Sequence, residues 1–436
     1  MNQRGFPWVA AAALLLAAAG SARAQDRLTL KESVDLVLNN SQQVEIAQES
    51  VIGSELKIKE SKNLYWPQAN LTGAYSRMSY FGEITIPFNG QTWTVKFGTP
   101  NNYDVRATVA GQVFNWGRTA RTIDMSMAGV DLAKDGLAMT KFALSYQVVP
   151  LYYGTVFFKE AIQVLDENIE AFRNKLDILN QRYEAGLASS FDKNIMAVQI
   201  SALEAQKVDF QNNIVKFRLA FNSLAGRDPE TPFEPAAELT FEPADYKIED
   251  LLREARAGRL ELQQVNHQAA LNRASVGLAR TGNKPTVAAS FNYDFRNGFM
   301  PVMEQLKGTW TAALTVSYPV FDGFRTRTQV AEAESALKVT ETRLSEQERA
   351  VALDVETAVA DLQAAGQKLE IEKVKIRQAE DSLRIAEERY RNGLLSATDL
   401  VDAQNTLEAA RLNALQIIYT YKIGQFNLDR SCGRTI

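Results

Sequence analysis

The chain repeats itself, and the repeat narrows what it can fold into. An offset of 207 residues lays Tyr183 on Tyr390, Gly186 on Gly393, Ser189 on Ser396, Asp192 on Asp399 and Gly226-Arg227 on Gly433-Arg434. The same offset matches Val113-Phe114-Asn115 to Val320-Phe321-Asp322, and Arg118 to Arg325. Further upstream the offset becomes 218, with Pro67 on Pro285 and Tyr75 on Tyr293, so the first copy carries 11 additional residues between Tyr75 and Val113. Self-similarity at such a period means two units built to one plan. An insertion is tolerated best in an exposed loop, which places a loop between those two residues. The division that follows is a leader over residues 1–24, a first repeat over 25–227, a linker over 228–245 and a second repeat over 246–436.

Each copy reads helix, strand, strand, long helix, turn, helix. In "YDVRATVAGQV" Tyr103, Val105, Ala107, Val109, Gly111 and Val113 alternate with Asp104, Arg106, Thr108 and Gln112, the period of two that marks a strand. "VAASFNYDFR" sets Val287, Ala289, Phe291, Tyr293 and Phe295 opposite Ser290, Asn292, Asp294 and Arg296. "WTAALTVSYPV" repeats the pattern, and a weaker fourth strand runs over residues 69–79. The two hairpins span about residues 67–114 and 285–321. Pro67 and Pro285 mark the change from helix to strand, and Asn115 and Asp322 are N-cap residue types where strand returns to helix. The inserted "EITIPFNGQTWTVKF" carries Asn89-Gly90 between alternating residues, a hairpin of its own. Helical periodicity then persists for roughly 65 to 70 residues in each copy, on the order of 100 Å of helix. Pro150, with Gly154 close behind, predicts a kink in the first of these helices. The linker sequence "GRDPETPFEPAAELTFEPAD" is rich in proline and acid and predicts extended backbone.

The N-terminus reads as a secretory leader: Arg4, the apolar run Val9 to Gly20, and the small-residue site Ala22-Arg23-Ala24. No cysteine follows it to accept a lipid, and no later segment has the length of an apolar transmembrane helix. Membrane insertion therefore falls to strands. A net charge of -4 offers no basic surplus for nucleic acid. One His and one Cys, His267 and Cys432, cannot make a zinc site, a Ser-His relay or an internal disulfide. No phosphate-binding or dinucleotide fingerprint is present, so no enzyme, cofactor or metal is expected.

Strands of about ten residues match the span of a tilted transmembrane strand, and one face of each is apolar with aromatics while the other is polar enough for a wet lumen. Four strands cannot close around a lumen, and open sheet edges do not occur in lipid. Chains must share a barrel. Eight strands from two chains would have a filled interior, whereas twelve from three leave a passage.

Near each copy's far end stands a doubled turn, "QRYEAGLASSFDKNIMAVQ" and "ERYRNGLLSATDLVDAQ". Together with the duplicated unit and the "VFNWGR" and "PVFDGFR" junctions, it resembles the TolC-like outer-membrane efflux protein family over essentially the whole mature chain. The resemblance implies an α+β membrane protein: a homotrimer whose twelve-stranded barrel, four strands per chain, is continued by a long periplasmic α-helical barrel. It implies a passive exit duct in the outer membrane, part of a tripartite efflux or type I secretion system. Its partners would be a periplasmic adaptor and an inner-membrane pump or ABC transporter. The duct narrows at the doubled turn, where the positions matching the family's constriction are Asp192, Tyr390, Asp399 and Asp402. The family's arginine two residues after the second glycine is Leu395 here, so the cation of its cross-chain ion pair is missing at that position and Lys193, Arg389 or Arg391 are left as substitutes.

The plainer roles stand beside these. Ser189 with Asp192 and Ser396 with Asp399 both fit a capping box, so capping and pore lining are open to both acids. Asp402 lies one turn beyond Asp399 and no cap explains it. Gly186 and Gly393 suit the left-handed residue that ends a helix. Leu187 and Leu394 beside them are candidates for adaptor docking or for packing inside the turn. The alternative to a channel is a periplasmic coiled-coil adaptor or scaffold, which would need none of the four strands.

Overall fold

The computed structural model of the protein describes residues 27–436 except 81, 187 and 301. The expected leader and Leu187 thus lie outside the described residues. The first copy runs α1 (Leu30–Asn40), α2 (Gln42–Asn63), β1 (Gln68–Arg77), β2 (Glu83–Phe88), β3 (Gln91–Lys96), β4 (Asn101–Phe114), α3 (Arg118–Glu184) and α4 (Ser190–Leu224). The second runs α5 (Ile248–Gly258), α6 (Leu260–Ala279), β5 (Thr286–Arg296), β6 (Lys307–Ser317), α7 (Arg325–Arg391) and α8 (Ala397–Cys432). The order of elements repeats except for the inserted pair β2 and β3. No helix among the described residues is long and apolar enough to cross a membrane.

The chain divides into two compact units. One holds the described residues up to Glu45, Met139–Arg259 and Arg349–Ile436; the other holds Ile46–Ala138 and Leu260–Glu348.

The second unit contains a four-stranded antiparallel sheet in the order β1-β4-β5-β6. Its register keeps the two faces of the alternating pattern apart. Tyr75 faces Tyr103, Val105 faces Phe295, Val109 faces Phe291 and Tyr293 faces Trp310 on the apolar side. On the other side Arg106 pairs with Asp294 through Nε, and Thr108 donates to the Asn292 Oδ1 at 2.8 Å. A slip of one residue would mix the faces, so a pattern this consistent specifies register strongly. The apolar face has no cover among the described residues: Leu71 is 75% exposed and Leu314 69%. Among the described residues β1 and β6 each keep one edge unpaired.

Asn89 and Gly90, both at positive φ, form the two-residue turn between β2 and β3. At the strand-to-helix junctions the structure corrects the expected caps. The helices begin three residues after Asn115 and Asp322, because Trp116-Gly117 and Gly323-Phe324 are both in the left-handed region and turn the chain first. The side chains still reach the helix start, with Asp322 accepting from the Thr326 amide at 3.0 Å and Asn115 from the Thr119 amide at 3.5 Å. His267 pairs with Asp135 at 2.6 Å, a local contact between α6 and α3.

In the first unit α3 is helical without a break through Pro150. Gly154 has a packing reason: a β-carbon there would come within 2.5 Å of the Phe217 ring on α4. The segment between the copies is non-helical and packed down. Phe233 stacks on the fully buried Phe221 with ring centroids 4.0 Å apart, and the Tyr152 hydroxyl donates to the Leu28 carbonyl at 2.9 Å while accepting from the Ala236 amide at 3.2 Å. Phe221→Ala would remove a buried aromatic and the seat of the strap, and is expected to cost about 3–5 kcal/mol in thermal or denaturant unfolding.

Candidate functional site

The doubled turn is built by backbone geometry first. In the second copy α7 ends in a Schellman arrangement: Gly393, at φ +73°, gives its amide to the Tyr390 carbonyl at 3.0 Å, and the Leu394 amide goes to the Arg389 carbonyl at 2.9 Å. In the first copy Gly186, at φ +72°, gives its amide to the Tyr183 carbonyl at 2.9 Å. A residue with a β-carbon is strained at such φ, which explains glycine at both places.

The helices that leave the turns are capped differently. Ser396 Oγ accepts from the Asp399 amide at 3.1 Å, and Asp399 Oδ2 accepts from the Ser396 amide at 3.4 Å and hydroxyl at 2.7 Å. This is the reciprocal capping box expected from sequence. The first copy departs from it. Ser189 Oγ accepts from the Phe191 amide at 3.0 Å, and Asp192 makes no return bond to Ser189. Asp192 instead lies near Tyr390, whose phenol is held above its ordinary range by burial and then by the Asp192 charge. The fold therefore brings together one candidate from each copy. Asp402 is exposed on α8, and its carboxylate has no partner among the described residues. Leu394 is 76% exposed.

Under the turns lies an apolar cluster that includes Phe172, Leu179, Met196, Ile200, Leu400 and Val401. Tyr390 and Leu395 pack against it. Leu395 is thus a core contact and not a polar link. Of the possible substitutes for a cation at that position, Lys193 lies over the Tyr183 ring at 4.4 Å, while Arg389 and Arg391 are exposed. Tyr183 is itself 44% exposed.

Sequence reading missed a buried polar layer behind the turns. Asn168 on α3 and Gln404 and Glu408 on α8 are each less than a tenth exposed. Lys175 Nζ donates to Gln404 Oε1 at 2.8 Å, Gln404 Nε2 to Asn168 Oδ1 at 2.7 Å, and Asn168 Nδ2 to Glu408 Oε2. Lys175 also pairs with Glu387 on α7 at 2.9 Å. Burial raises the Glu408 carboxyl, and the bond from Asn168 offsets part of that. The signal was present: Val401, Gln404 and Glu408 recur at three and four residues, so two polar residues occupy core positions of an apolar stripe.

A family model described as "Outer membrane efflux protein" matches residues 33–227 and 251–434. Protein CyaE of Bordetella pertussis is 25% identical over 398 residues, covering 88% of this chain and 80% of that protein. Outer membrane protein TolC of Escherichia coli strain K12 is 24% identical over 329 residues, 68% of this chain and 64% of that one. Among solved structures, CusC superposes with a TM-score of 0.77 at 15% identity, covering 94% of this chain and 93% of that chain. VceC from Vibrio cholerae gives 0.74 at 15% identity, with 93% and 96% covered. At those identities the structural likeness speaks for the fold.

Ser396→Ala removes the cap and the partner of Asp399 together. It is expected to lower stability by about 1 kcal/mol, read as a reduced unfolding midpoint.

Proposed function

The chain belongs to the outer membrane efflux protein family, and on that premise we propose that three copies assemble into one duct with a twelve-stranded barrel and a helical periplasmic tunnel. The protein is an outer-membrane channel for efflux or secretion. Its family is one of transport proteins. The observation that carries the trimeric reading is the sheet: four strands with an uncovered apolar face, a polar face holding the Arg106–Asp294 pair, and two unpaired edges. In lipid such edges must be closed by strands from other copies, and three copies are the fewest that leave a wet lumen. A soluble scaffold would leave the apolar face unexplained.

The doubled turn is the periplasmic constriction in this reading, with Asp192, Tyr390, Asp399 and Asp402 at the gate. Threefold symmetry would turn Asp399 and Asp402 into acidic rings, which favour cations and repel themselves. The exposed Leu394 supports adaptor docking at Gly186, Leu187, Gly393 and Leu394. The partners are a periplasmic adaptor and an inner-membrane pump or ABC transporter, which supplies the energy.

Fractionation tests the assembly: trimers in the outer-membrane fraction that dissociate only on heating are expected, and recovery as a soluble periplasmic protein would refute the channel. For the gate, Asp399→Ala with Asp402→Ala is expected to lower cation selectivity and change conductance in planar bilayers. Unchanged values would remove both residues from the constriction.

A further inference from the structure

The buried layer behind the turns has a direction. Its donors run one way, from the Lys175 ammonium through the amides of Gln404 and Asn168 to the Glu408 carboxylate. Both amides use an oxygen and a nitrogen in the run, so each is held in one orientation. A chain of this kind, positive at its donor end and negative at its acceptor end, polarises cooperatively in a low-dielectric interior.

The apolar cluster beside it has no such demand. Leucine, isoleucine and phenylalanine contacts are non-directional, and side chains of similar volume repack when one helix turns or slides on another. Hydrogen bonds between buried groups do not survive that movement. A rotation of α8 about its own axis would part Gln404 from both Asn168 and Lys175, and Glu408 from Asn168, leaving buried polar groups unpaired. Polar residues at a helix seam specify register in this way, at some cost in stability. The tie extends to α7 through Lys175 and Glu387 at 2.9 Å, and Arg411 on α8 reaches Glu380 on α7 at 3.0 Å.

Register here fixes where the acids stand. Asp402 precedes Gln404 by two residues, about 200° around the helix. With Gln404 held inward against α3, Asp402 is turned outward, and Asp399 follows on the same helix. We infer that the Asn168–Gln404–Glu408 layer, tied to α7 by Lys175, is a register lock that positions the gate carboxylates. Asn168, Gln404 and Glu408 are positioning residues, which act through Asp399 and Asp402 without lining the pore. The inference rests on the gate reading above for its effect on current, but not for its effect on helix register.

The test separates the two. In a Cys432→Ser background, spin labels at Gln163→Cys on α3 and Asn413→Cys on α8 occupy exposed positions outside the layer and report the distance between these helices in the purified trimer. Gln404→Leu, which keeps bulk but removes the bonds, is expected to shift or broaden that distance and to change the closed-state current by about fivefold, the lower end of coupling between sites in one molecule. Glu408→Gln, which keeps an acceptor for Asn168, is expected to leave both readouts near their starting values. An unchanged α3–α8 distance in Gln404→Leu overturns the lock. A changed distance with an unchanged current upholds the lock and counts against the gate. Loss of the heat-dissociable trimer in Gln404→Leu but not in Glu408→Gln would show a merely structural role and overturn the positioning claim.

Discussion

A four-stranded sheet has two edges, and hydrocarbon tolerates neither. That constraint lies under the rest of the molecule. β1 and β6 expose backbone donors and acceptors on their outer sides, and the face bearing Leu71, Tyr75, Trp310 and Leu314 has nothing over it among the described residues. Water would cover the edges but not the face; lipid would cover the face but not the edges. A barrel shared between copies satisfies both. In the proposed shared barrel the polar face would look inward, where Arg106 with Asp294 and Thr108 with Asn292 supply groups that are already paired.

At the doubled turn two kinds of force divide the work. Backbone geometry sets the reversal, through left-handed glycines and capped helix starts, and an apolar cluster holds the helices together. Neither sets the rotation of a helix about its own axis. Directional bonds in the proposed lock do, which gives buried polar groups that cost desolvation a role in an otherwise apolar interface. The capping box binds Asp399 within its own turn, whereas the Asp402 carboxylate has no partner among the described residues and depends on the helix that carries it.

Much of the fold was legible in the chain because it rests on local periodicity. Alternation in β4, β5 and β6 predicted both the strands and their faces, and Asn89-Gly90 predicted its turn. The second capping box was readable for the same reason, since its partners lie three residues apart. The corresponding Ser-x-x-Asp motif in the first copy failed: Ser189 caps through the Phe191 amide, and the Asp192 charge acts on Tyr390, a residue that no local rule reports. The junction caps were misplaced by two residues because a non-glycine residue adopts positive φ at each, Trp116 in one and Phe324 in the other.

The duplication, the strand faces, the helix lengths and the glycines of the turns were determined by the sequence alone, because each depends on neighbours a few residues away or on a repeat visible along the chain. Only the tertiary structure decided that Leu395 is a core contact, that the linker is a strap seated on Phe221, and that Asn168, Gln404 and Glu408 meet in one buried layer. Those contacts join residues far apart in the chain, where apolar packing and hydrogen-bond partners are chosen by the fold and by no local pattern.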